Sequence, residues 1–107
     1  MDSRSDQLRA MKPELIADLR LYPTEHGGRR ASIRLGWGCP CTIKKETVPD
    51  CWDGWPLLGD HEMKLGEIRT SGGFVFVSGQ KAADELRAAG KFYLWEGGYI
   101  GEAVVLT

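Results

Sequence analysis

The chain has 107 residues, 42% of them hydrophobic and 27% charged, with 14 basic against 15 acidic side chains and a formal net charge of -1. That length holds one domain with room for a core, and the composition excludes disorder over most of it. The near-neutral balance excludes a general pull on polyanions, so any nucleic-acid contact needs a local basic patch.

The start, MDSRSDQLRAMK, lacks the apolar run of a secretory signal, and no later segment approaches the ~20 apolar residues of a membrane span. A soluble, cytoplasmic protein is expected. Residues 1–13 show no apolar periodicity and end on Pro13, which predicts a flexible N-terminal tail or a short frayed helix ahead of a folded domain over 14–107.

From Ile16 to Tyr22, Ala17, Leu19 and Leu21 alternate with Asp18, Arg20 and Tyr22, the period-two pattern of a half-buried strand. PTEHGG follows, and its Gly27 and Gly28 can take the positive φ of a tight hairpin turn. A partner strand should leave that turn at Arg30, with Ile33, Leu35 and Trp37 on one face. Gly36, Gly38 and Pro40 break the pattern, as at a bulge or barrel corner, before Cys41 to Lys44 resume it.

VPDCWDGWPLLGD, dense in Pro, Gly and Asp, reads as a long loop. His61 to Leu65 is a short extended piece, and GFVFVS from Gly73 to Ser78 is the best strand by composition. QKAADELRAAG turns helical, with Gly90 where a left-handed C-terminal cap belongs. Lys91 to Glu96 and Ile100 to Leu106 form the last two strands, joined through the glycine pair of WEGGYIGEAVV. Many short strands, glycine turns and one short helix predict an all-β barrel or sandwich.

LRLYPTEHGGRRASIRLGW, then HEMKLGE, then GKFYLWEGGYIGEAVV resemble, in order and rough spacing, the third domain of the translation elongation factor Tu family. The resemblance covers the chain from Ile16 to Leu106. It implies a six-stranded antiparallel β-barrel, to which the helical pattern adds one short helix. In that family the barrel packs against the GTP-binding domain and helps hold the T-stem backbone of aminoacyl-tRNA. By matching position, Arg29 and Arg30 fall where the Gly-Gly-Arg turn meets that backbone, and Glu96 on the acid of the terminal E-G-G turn. The resemblance therefore implies tRNA or another translation component as partner.

The chain also departs from the family. Trp95 and Tyr99 stand where basic residues are usual, and GCPC replaces an R-P-Q-like segment, so positive charge has been lost from that surface. The GTPase apparatus is absent: GFVFVSGQK, the nearest approach to a phosphate loop, lacks the spacing and the G-K-[ST] that hold phosphate and magnesium. No bound nucleotide and no cofactor are expected.

Two candidate sites emerge. Arg29, Arg30 and Arg34, with Arg20 across the expected hairpin, suit phosphate because the guanidinium fork bonds two oxygens; a solvated hairpin face accounts for the same residues. Trp52, Trp55, Leu57 and Leu58 form an aromatic-rich loop that either plugs a barrel end or meets a protein partner. Cys39, Cys41, Cys51 and His61 include the ligand types of a zinc site, but C-x-C is not finger spacing, and small buried thiols are expected instead. A cysteine hydrolase would need His26 or His61 beside a thiolate, and no orienting acid is recognisable; Glu25 and Glu96 read as turn residues. A non-catalytic binding module is the reading.

Overall fold

In the computed structural model, residues 4–23, 31–44 and 51–107 are described. The elements run α1 (Arg4–Arg9), β1 (Leu15–Leu21), β2 (Cys39–Thr42), β3 (Trp52–Leu57), β4 (Ile68–Phe76), α2 (Gln80–Ala89), β5 (Lys91–Trp95) and β6 (Tyr99–Val105). The strands close into a six-stranded antiparallel barrel in the order β1-β4-β3-β2-β5-β6, with β6 returning to β1. This is the all-β barrel with a short helix that the sequence led us to expect.

Alternation on each strand fills the interior. Leu15, Ala17, Leu19 and Leu21 of β1 face inward with Phe92 and Leu94 of β5, Ala103 of β6 and Phe74 and Phe76 of β4. Phe74 meets Phe92 edge-on at 5.3 Å between ring centres, a geometry aromatic rings prefer to face-to-face stacking. Small residues make room where walls converge: a side chain at Gly54 would strike the Phe76 ring at 2.8 Å. Helix α2 lays Ala82, Ala83 and Leu86 on the barrel and ends on Gly90 at φ 80, whose N–H bonds the carbonyls of Leu86 and Arg87.

Three expectations need correction. The segment dense in Pro, Gly and Asp is no loop, because β3 runs through it as a wall strand. Pro56 is tolerated there because the Phe74 carbonyl accepts from Glu14 on the β1 side, leaving Pro56–Phe74 a pair without ladder bonds. The Pro56 nitrogen then faces beyond β2, whose pairing ends at Gly54.

The expected partner strand through Ile33, Leu35 and Trp37 is the second correction. Ile33 makes one isolated bridge to Met63, and the chain then turns, the Trp37 N–H bonding the Arg34 carbonyl around Gly36 at φ 104. The neighbours of β1 are β4 and β6 instead. Third, His61 to Leu65 contributes only that bridge. The strand expected over Gly73 to Ser78 begins earlier, at Ile68, and ends at Phe76.

Within the first thirteen residues, α1 covers part of the outer wall, and Leu8 is buried. No described helix is long and apolar enough to cross a membrane.

Candidate interaction surfaces

The turn carrying Arg34 and the β5–β6 hairpin meet at one end of the barrel. Trp37 Nε1 donates to Glu96 Oε2 at 3.1 Å, while Trp37 also packs on the core. Glu96 N–H bonds the Gly98 carbonyl across the E-G-G turn, which Gly97 closes at φ 72. Arg34 and Glu96, expected near RNA, are thus joined through one four-residue turn and one indole. Arg29 and Arg30 lie outside the described residues, as do Glu25 and His26.

The charges at this end are largely spoken for. Arg34 Nη2 lies 3.6 Å from Glu62 Oε2, which also accepts from Ser32 Oγ at 2.9 Å. With 79% of its side chain exposed, Arg34 holds that pair weakly and can leave it. Glu96 repels phosphate, so any part it takes with RNA is to hold Trp37 and the turn rather than to touch the backbone.

Beside this end, Trp95 pairs with Tyr99 across the hairpin, Tyr93 meets Tyr99 edge-on at 6.2 Å, and Tyr99 Oη donates to the Lys44 carbonyl. Arg20, the fourth arginine of the expected patch, instead sits over the Tyr22 ring at 5.7 Å. Its strand neighbour Glu102 takes hydrogen bonds from Tyr22 and an ion pair from Lys91. Burial raises the Tyr22 hydroxyl well above its ordinary range, and the bond to Glu102 adds to that.

The tryptophans of β3 are split by the strand's alternation. Trp52 turns inward and packs on the core, whereas Trp55 lies outward across Gly38, where a Cβ would sit 2.4 Å from the indole. Leu57 follows outward beside Gly73 and Pro13, and Leu58 is buried. Trp52 and Trp55 therefore cannot serve one surface.

Trp55 stands between two hollows. One, of about 230 Å3, is walled by Gly38, Pro40, Asp53, Trp55 and Val77; the other, of about 130 Å3, by Leu8 and Met11 from the α1 side and by Trp55 and Val75. Val77 is 65% exposed and Met11 48%. The sequence singles out Trp55 as a candidate partner contact, but nothing in it places Leu8 and Met11 beside that indole, because the α1 side reaches it only through the fold.

The thiols divide. Cys39 and Cys41 are buried as expected, but Cys51 is exposed, standing just before β3 rather than inside the wall. Cys41 is held well above the ordinary thiol range, first by its neighbour Cys39 and then by burial, so it is no nucleophile. Among the described residues no three His, Cys, Asp or Glu side chains gather as a metal site. His61 is exposed, its carbonyl accepting from Arg69.

No protein-family model, no curated protein and no solved structure matches this chain.

Proposed function

We propose that this chain is a non-catalytic binding module of the elongation factor Tu third-domain type that contacts RNA of the translation apparatus at the barrel end holding the E-G-G turn. The observation that carries it is a convergence. Gly36-Trp37, Met63 and Glu96-Gly97-Gly98 come from the three separated stretches on which the family resemblance rests. They meet through the Ile33–Met63 bridge and the Trp37–Glu96 hydrogen bond. Arg29, Arg30 and Arg34 supply the cations of this reading, and the loss of positive charge at Trp95 and Tyr99 limits it to a few phosphates. Two neutralised phosphates give a salt slope of magnitude about 2 or less.

Titration of the labelled protein with tRNA at low salt tests it. Saturable shifts in the amides of residues 26–34 and in the Trp37 indole, lost in an Arg29→Ala/Arg30→Ala variant, are expected. If those signals stay still, the RNA reading fails.

The groove around Trp55 favours a second reading, a protein-interaction module of the outer wall. Aromatic side chains in apolar hollows are what protein interfaces use as anchors. Capture from a native extract with and without ribonuclease separates the two, since only an RNA-dependent partner is lost on digestion.

A further inference from the structure

The chemistry of the Trp55 groove restricts what can occupy it. β3 is hydrogen-bonded to β4 along Gly54–Leu57 and to β2 only as far as Gly54. Past that point the uncovered side of β3 presents Pro56, which has no N–H to donate, so its backbone offers no ladder to an incoming strand. A peptide bound here must present side chains while leaving its own backbone to water. A polyproline segment does that, because it is extended without internal or partner hydrogen bonds and loses little entropy on binding.

The groove fits such a segment in shape and in charge. Trp55 lines both of two small separate hollows, which suits two small rigid groups set apart along an extended chain better than one continuous helix face. Among the described residues, Asp53 is the one charged side chain lining either hollow, and it is exposed. It stands beside Pro40 and Val77 on the outer face of the wall. An acidic group at the margin of an apolar groove is complementary to a basic residue next to apolar ones.

We propose that this groove binds an extended, proline-containing peptide whose prolines straddle Trp55 and whose lysine or arginine lies against Asp53. The proposal rests on the protein-interaction reading and names its occupant.

The test is titration of the labelled 107-residue chain with the synthetic peptide Ala-Pro-Leu-Pro-Pro-Arg-Ala. Saturable shifts of the Trp55 indole and of the Val77 and Met11 methyls are expected, with the Trp37 indole unmoved. Asp53→Asn should weaken binding roughly two- to fivefold, the scale of an exposed ion pair. Val77→Ser should weaken it as well, and both variants should melt with the parent protein, since neither side chain is in the core. Three results each overturn the proposal: no saturable shift, equal binding of a control peptide with alanine at every proline, or unchanged affinity in Asp53→Asn. If the peptide fails while Val77→Asp still abolishes capture of a cellular protein, the interface reading stands and this occupant is wrong.

Discussion

Trp37 donates its indole N–H to Glu96 at 3.1 Å, tying the turn after Arg34 to the β5–β6 hairpin across 59 positions of sequence. The bond is exposed, yet its acceptor is charged and its donor ring is anchored on the core. Glu96→Ala should therefore cost about 0.5–1.5 kcal/mol, and Glu96→Gln, which keeps an acceptor, less. Urea unfolding followed by tryptophan fluorescence measures both. Equal stability of the alanine variant and the parent would show the bond to be idle in solution.

Two glycines are needed for different contacts. A Cβ on Gly101 would lie 2.6 Å from the Arg20 carbonyl oxygen, and that backbone cannot retreat without parting β1 from β6. Gly101→Ala should lose about 1–3 kcal/mol, the range for overpacking. A Cβ on Gly38 would instead meet the Trp55 indole at 2.4 Å as well as the Gly54 carbonyl at 2.9 Å. Gly38→Ala should displace the indole and shift tryptophan emission, which Gly101→Ala should not. If both variants leave melting unchanged, the close approaches are not real.

Arg69 is a staple. Its guanidinium donates to the carbonyls of Leu58, His61 and Glu62 and to the Glu67 carboxylate at 2.8 Å, fastening the segment between β3 and β4. Arg69→Ala should destabilise by about 2–3 kcal/mol through the charged hydrogen bonds it removes. Arg69→Lys should recover only part of this, because an ammonium cannot hold a fork of acceptors. Full recovery in the lysine variant, read by thermal melting, would show that charge alone matters.

Stability should fall at both ends of the pH range. Burial by itself would raise the Glu102 carboxyl, but hydrogen bonds from Lys91 and Tyr22 outweigh it and hold it below its ordinary value. Glu67 is lowered too, chiefly by the Lys64 backbone N–H, against burial and with help from Arg69. A carboxyl group lowered by folding gives its full stabilisation above the unfolded pKa, about 4.3, and loses it as pH falls through the folded value.

On the basic side, Glu102 raises Lys91, while burial and then Glu102 raise Tyr22. Their contribution is complete below the unfolded values near 10 and is lost as pH climbs through the folded ones. Melting temperature should therefore be level between these limits, and Glu102→Gln should flatten part of both limbs. An unchanged pH profile in that variant would remove Glu102 from the account.

What could be read from the sequence followed from local rules. The alternation of Ala17, Leu19 and Leu21, the glycine turn between β5 and β6, and the helix ending on Gly90 are short-range patterns, and each appears where expected. β3 was hidden because local rules favour a loop for Trp-Asp-Gly-Trp-Pro-Leu. Gly54 is small because Phe76 fills its place, and Pro56 is allowed because β2 stops short of it. Both reasons lie on other strands.

The sequence by itself determined the strand-rich character and most turn positions, since alternation and backbone preference act within a few residues. Only the tertiary structure decided that β1 lies between β4 and β6, that Trp52 and Trp55 face opposite sides of one wall, and that α1 borders the Trp55 groove. Barrel closure is a condition on all six strands at once. Pairing and register along one strand are chosen by how the interior side chains of the others fill the space.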